Sequence, residues 1–139
     1  MSWFQSVNWW AIIVAAIVNM VLGGLWYSPL LMAKPWMALM SLKPEDMKSQ
    51  GAKATRGYII SAVVSLIIAG SLAILTHRFH VNTVEGGFKL GLVVGIGLVA
   101  APGAANYAFD TRSYRLYFIN AGYSLIGTVI MSMIVAGWY

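Results

Sequence analysis

All thirteen charged residues of this 139-residue chain lie in three short intervals, Lys34–Arg56, Arg78–Lys89 and Asp110–Arg115. The apolar stretches between and around them are long enough to cross a bilayer, since about 20 helical residues at a rise of about 1.5 Å span the hydrocarbon layer. A charge at the middle of a spanning helix costs roughly 2.5–3.5 kcal/mol. The charge pattern therefore predicts four transmembrane helices, over residues 9–27, 57–76, 86–107 and 116–138.

Composition points to the same fold class. The chain is 60% hydrophobic and 9% charged, whereas about 25% of the residues in a soluble domain are charged. Pro29 and Pro35 are expected to end the first span, because proline removes a backbone donor. The apolar segment Pro35–Leu42 is typical of a short helix on the membrane surface. We therefore predict one all-α domain, residues 1–139, forming a four-helix transmembrane bundle with a short interfacial helix in its first loop.

The distribution of Lys and Arg predicts the orientation. Five of them lie between the first two spans and two more, Arg112 and Arg115, lie between the last two, whereas the opposite side has only Arg78 and Lys89. The positive-inside rule then places the first and third loops in the cytoplasm and both termini outside. We expect a multi-pass protein of the inner (cytoplasmic) membrane. Because residues 1–8 carry no Lys or Arg, we also expect the first apolar stretch to be a permanent helix rather than a signal peptide.

Each predicted span carries small residues at four-residue spacing, which keeps them on one helix face. Small residues let helices approach closely in a membrane, where the hydrophobic effect does not hold helices together. The third span has the most specific pattern, two overlapping GxxxG units. The predicted packing residues are Gly23 on the first span, Gly87, Gly91 and Gly95 on the third, and Ser124 and Thr128 on the fourth. Contacts within one chain are the preferred interpretation, and contacts between subunits are the alternative.

Mild polar side chains supply the candidate functional residues. Asn19 is predicted near the middle of the first span, and several others fall near the cytoplasmic ends of the spans, in one layer. The candidates for a ligand site or pathway are Asn19, Tyr27, Asn106, Tyr107, Asp110, Arg112, Asn120 and Tyr123. Two interpretations stay open: these groups bond one another and strengthen helix association, or they line a polar vestibule.

Other chemistries lack the residues they need. The chain has no cysteine, and no HExxH, GxSxG or phosphate-loop motif is present. His77 and His80 form an HxxH pair, but the sequence offers no cluster to complete a metal site with them. The net charge of +5 is concentrated in one loop and does not indicate nucleic-acid binding. We therefore expect no catalytic residues, no metal and no cofactor, and an enzyme is the least favoured class.

Two motif blocks resemble a known family. They are the Gly23–Pro29 segment (GGLWYSP) and the segments Phe109–Ser113 (FDTRS) and Ile119–Tyr123 (INAGY). Together with Trp36 they resemble small prokaryotic membrane proteins catalogued as domain of unknown function 1761. The resemblance implies four spans, no assigned activity, and a shared layer that includes Trp26, Tyr27, Asp110, Asn120 and Tyr123. Members of that family usually carry Glu at the position of Asp110. Asp110 keeps the negative charge but on a shorter side chain.

Two functional hypotheses follow. The first is an oligomeric bundle that forms a small-solute or ion pathway or binds a small amphipathic ligand, since a single four-helix bundle has little room for a large cavity. The second is a non-transporting accessory, assembly or lipid-organising protein that acts through helix contacts. The expected partners are the lipid bilayer, further copies of the chain and, for the second hypothesis, another membrane protein.

Overall fold

The computed structural model describes residues 7–26, 51–108 and 114–139, apart from the side chains of 51–54. The helices are α1 (Trp9–Trp26), α2 (Gly51–Arg78), a third span made of α3 (Val84–Val93), a π-helical segment (Val94–Ala100) and α4 (Ala101–Ala108), and finally α5 (Tyr114–Gly137). These elements provide four helices that are long and apolar enough to cross a membrane. The all-α, four-helix prediction is confirmed. The predicted interfacial helix Pro35–Leu42 lies outside the described residues.

The helix bounds differ most from the sequence-based spans in α2. This helix begins at Gly51 rather than near residue 57 and includes Lys53 and Arg56. Charges exclude a segment from the hydrocarbon layer but do not end a helix, so the backbone continues beyond the charge-free run. The charge pattern therefore marks the apolar window, and the helix is longer than that window.

Side-chain contacts tie α1 and α2 to the end of α5, at the end of the bundle where α1 begins. The Asn8 side chain caps α1 by accepting from the backbone N–H of Trp10 at 3.1 Å, and it donates to the Trp138 carbonyl at 3.3 Å. The His77 ring stacks on Tyr139 with ring centroids 4.1 Å apart. Both ends of the described chain therefore lie at the same end of the bundle.

Helix α5 is the central helix of the bundle. It packs against α1, α2 and every segment of the third span, and its most extensive contact is with α3. Helices α1 and α2 also pack on each other, so α1, α2 and α5 form a three-helix core. The third span lies mainly against α5, and only 11% of its apolar window is buried, compared with 28% for each of the other spans.

Small residues occupy the centre of the core. Ala11 and Ala15 of α1, together with Ala69 and Ala73 of α2, are buried. They pack with Leu72 and with larger side chains of α5, including Met131 and Val135. Alanine faces allow α1 and α2 to approach closely, which is the geometry that favours helix association in lipid.

The third span changes its hydrogen-bond pattern before Pro102. The backbone N–H of Ala101 donates to the carbonyl of Ile96, five residues earlier, and residues Val94–Ala100 are π-helical. The structure therefore has a wider π turn just before this proline. Proline has no N–H to donate, and π turns are one of the ways in which a helix accommodates a break in its ladder.

Candidate functional site

Asn19 joins three helices at the middle of the core. Its side-chain amide donates to Ser65 Oγ on α2 at 2.8 Å, and its backbone carbonyl accepts from the Tyr123 hydroxyl on α5 at 3.2 Å. Asn19 is 7% exposed and Ser65 is 1% exposed. A buried amide inside a membrane protein needs such partners, because lipid offers no hydrogen bonds.

Gly127 of α5 provides the space for the Asn19 side chain. The Oδ1 atom of Asn19 occupies the position that a β-carbon on residue 127 would take. The missing side chain of Gly127 thus leaves room for the Asn19 amide. Any larger residue at position 127 would displace the Asn19 amide and with it the bond to Ser65.

Two aromatic side chains cross the interface between α1 and α5 in opposite directions. The Tyr123 ring of α5 lies on Gly23 of α1, with its hydroxyl 3.0 Å from the β-carbon position of that glycine. In return, the Trp26 ring of α1 lies on Gly122 of α5, and its indole N–H donates to the Ile119 carbonyl at 3.0 Å. Each large ring therefore lies on a glycine of the other helix, and each donates to a backbone carbonyl.

A cavity of about 200 Å³ lies beside this interface, between α1, α2 and α5. We call it the inner cavity. Its lining residues are Met20, Gly23, Gly24, Tyr58, Ser61 and Tyr123. Tyr58, Ser61 and Gly24 are exposed, so the cavity opens to the surface of the bundle between α1 and α2. The described part of its lining combines apolar surface with three hydroxyl groups, and none of these residues is charged.

A second polar cluster lies on the other side of α5, against the third span. The Asn120 side chain donates to the Tyr107 hydroxyl at 2.9 Å, and the Tyr117 hydroxyl donates to the Ala100 carbonyl at 2.6 Å. The rings of Tyr107 and Tyr117 are 5.2 Å apart. A small cleft of about 120 Å³ lies among these groups, and we call it the rear cleft. Its lining also includes Val99, Gly103, Ala121 and Ser124.

The described candidate residues fall into two polar groups in the structure. Tyr107 and Asn120 meet in the rear cleft, whereas Asn19 and Tyr123 meet beside the inner cavity. Asn106 is exposed on α4. The remaining candidates, Tyr27, Asp110 and Arg112, lie outside the described residues. The described candidates that form hydrogen bonds therefore lie in two polar sites, one on each side of α5.

The predicted packing glycines make their close contacts within the single chain. The β-carbon position of Gly87 is 2.6 Å from the Ser132 carbonyl, that of Gly91 is 2.7 Å from Val129 Cα, and that of Gly95 is 2.5 Å from the Leu125 side chain. The glycine strip of the third span is thus its contact with α5. Thr128 is buried and donates to the Ser124 carbonyl at 2.7 Å.

Sequence reasoning missed Gly127 and Tyr58 as site residues. Gly127 is outside the four-residue strip of the fourth span, and its role depends on Asn19 lying opposite. The sequence predicts Tyr58 to be an aromatic residue of the membrane interface. Among the described residues, no group of His, Asp or Glu side chains is arranged to hold a metal ion.

A family model for a protein of unknown function, DUF1761, matches residues 10–136. The chain belongs to the DUF1761 family. This match spans all four helices and confirms the resemblance seen in the motif blocks. No curated protein and no solved structure matches the chain.

The two DUF1761 motif blocks meet in space. Gly23 and Trp26 of the first block pack on Tyr123 and Gly122 of the second. The described parts of these blocks are therefore the two halves of one helix–helix interface, with the inner cavity along its edge. In this DUF1761 protein the motif residues both hold α1 to α5 and shape the surface of that cavity.

Proposed function

We propose that this DUF1761 protein binds a small, uncharged amphipathic molecule in the inner cavity. The observation that supports the proposal best is the described lining: three hydroxyl groups, of Tyr58, Ser61 and Tyr123, beside apolar surface, with no charged group among these lining residues. Pockets for small ligands combine predominantly apolar walls with a few placed polar groups. A charged ligand would lose its hydration without gaining an ion pair, which disfavours it.

The opening of the cavity supports entry from the bilayer. Its exposed residues lie on the apolar spans α1 and α2, so a molecule dissolved among the lipid chains can enter the cavity laterally from the bilayer. The cavity is formed within one chain. This favours the binding of a ligand over a solute pathway through a single subunit. A solute or ion pathway remains the alternative within this proposal and requires several copies of the chain around a common axis.

A photoreactive alcohol tests the binding proposal. An octanol that carries a diazirine, irradiated with the protein in nanodiscs, is expected to label Met20, Tyr58 or Tyr123, and excess octanol should compete. Gly24→Leu fills the cavity from a position with open space around its β-carbon, so it should abolish this labelling. Gly70→Leu is the matched control, because Gly70 also has open space but lines a different, apolar groove.

The result that would reject the proposal is labelling spread evenly over lipid-facing residues and unchanged by Gly24→Leu. For the pathway alternative, the measurement is solute flux into liposomes with wild type, Asn120→Ala and Tyr123→Phe. Background flux in all three would rule out transport of the solutes tested.

The third span favours a second candidate function, as an accessory or assembly protein. Only 11% of its apolar window is buried, and Val93 and Leu98 are 68% and 70% exposed. A partner membrane protein or a second copy packing on this span would bury them. Purification from native membranes should then return a stoichiometric partner or a homo-oligomer, and recovery of monomers alone would count against this function.

We also propose that both termini lie outside the cytoplasmic membrane. The basis is the Lys and Arg count of the loops. Because the chain has no cysteine, single substitutions report topology without background. A membrane-impermeant maleimide should label Asn82→Cys in intact cells and Tyr114→Cys only after permeabilisation. The reverse pattern would invert the orientation.

A further inference from the structure

The two halves of the third span are held to α5 in different ways. Helix α3 buries Gly87 and Gly91 against the backbone of α5, with β-carbon positions closer than side chains permit. Helix α4, in contrast, has no buried residue. The close packing of buried glycines on α5 therefore ends within the π segment, at Gly95, and the stretch beyond it contacts α5 through exposed or half-buried residues.

The π segment lies between these two halves. Its seven residues are followed by Ala101 and then by Pro102, which is exposed and has no backbone N–H. Mid-helix departures from α geometry often mark hinges, and sharp bends in helices occur at proline and at π turns. The third span is therefore expected to bend most easily where its close packing on α5 stops.

Two side-chain hydrogen bonds bridge α4 and the π segment to α5. One runs from Tyr117 to the Ala100 carbonyl, at the last residue of the π segment, and the other runs from Asn120 to Tyr107 on α4. Between them lies the rear cleft, which is lined by Gly103 on one side and Ser124 on the other. These bonds are placed to hold the cleft closed.

We propose that α4 pivots about the π segment, away from α5, and that the Tyr117–Ala100 and Asn120–Tyr107 hydrogen bonds are the latch of the closed state. Opening widens the rear cleft and exposes Asn120 and Ser124 to small hydrogen-bonding solutes. This device lies on the opposite side of α5 from the inner cavity and does not depend on ligand binding there.

Distances between spin labels test the pivot. One label pair joins Ala105→Cys on α4 to Ile59→Cys on α2, both at exposed positions. The matched pair joins Val93→Cys, on the α3 side of the π segment, to the same Ile59→Cys. Both pairs are measured in nanodiscs by pulsed electron paramagnetic resonance, in the otherwise wild-type chain, with Tyr117→Phe, and with Tyr117→Phe and Asn120→Ala together.

The expected result is a broader distance distribution for the Ala105 pair than for the Val93 pair. Loss of the latch should move the distance between the labels at positions 105 and 59 by about 3–5 Å and should leave the distance between positions 93 and 59 unchanged. A bend of more than 20° over two to three helical turns produces a displacement of about that size. Tyr117→Phe removes a single hydroxyl and keeps the ring, so it should shift the populations in the same direction without unfolding. Equal behaviour of the two pairs, whether both stay fixed or both move, overturns the proposal.

Discussion

The Oδ1 atom of Asn19 on α1 lies where a β-carbon on Gly127 of α5 would be. The same side chain donates to Ser65 of α2. A glycine on one helix thereby permits a hydrogen bond between two others, so the three-helix core depends on a residue that contributes no side chain.

Gly127→Ala should destabilise the protein by about 1–3 kcal/mol, the usual cost of inserting a methyl group into a packed core. The added methyl group displaces Asn19 from Ser65, and this cost exceeds the gain of about 1 kcal/mol in helix propensity. The measurement is the free energy of unfolding by SDS titration in mixed micelles. Gly24→Ala is the control, since its β-carbon meets nothing within 4 Å, and it should be neutral or stabilising.

Two buried serines should respond to alanine substitution with opposite signs. Ser65 accepts the Asn19 bond, so Ser65→Ala leaves an amide donor without its partner and should cost about 1–2 kcal/mol. Ser132 Oγ is buried without a hydrogen-bond partner among the described residues, so Ser132→Ala should raise stability by up to about 1 kcal/mol. Loss of stability in both variants would mean that the Ser132 hydroxyl is hydrogen-bonded in the membrane.

Trp26 should contribute more to stability than a tryptophan at the surface. Trp26→Phe removes the indole N–H bond to the Ile119 carbonyl and should lower the free energy of unfolding by about 0.5–1.5 kcal/mol. Trp10 is 70% exposed, and Trp10→Phe should change it by less than about 0.5 kcal/mol. Equal effects of the two substitutions would argue that the Trp26 bond is not formed in the bilayer.

The sequence predicts which face of each span is buried better than it predicts which helices meet. The strips of small residues follow from local periodicity, and Ala15, Ala69 and Gly91 are all buried. A periodic face does not identify its partner, however, so the central place of α5 could not be derived from four comparable strips. The predicted depth of polar residues in the membrane likewise groups Tyr107 with Tyr123, but it does not show that Tyr107 contacts Asn120 whereas Tyr123 contacts Asn19. The sequence does not indicate Gly127 as a site residue, because its role depends on Asn19, which is more than a hundred residues away in the chain.

Alanine should be destabilising in the buried glycine strip of the third span and tolerated at an exposed glycine of the same span. The β-carbon position of Gly91 lies 2.7 Å from Val129 Cα, so Gly91→Ala must push α3 away from α5 and should cost about 1–3 kcal/mol. Gly97 belongs to the same span and its β-carbon meets nothing within 4 Å. Gly97→Ala should therefore leave the free energy of unfolding within about 1 kcal/mol of wild type. Both variants are compared by SDS titration, and by hydrogen exchange of the amides in α3 and α5. Faster exchange confined to these two helices in Gly91→Ala would show that the strip holds the third span to α5, whereas unchanged exchange would show that the backbones do not approach as closely as the glycines allow.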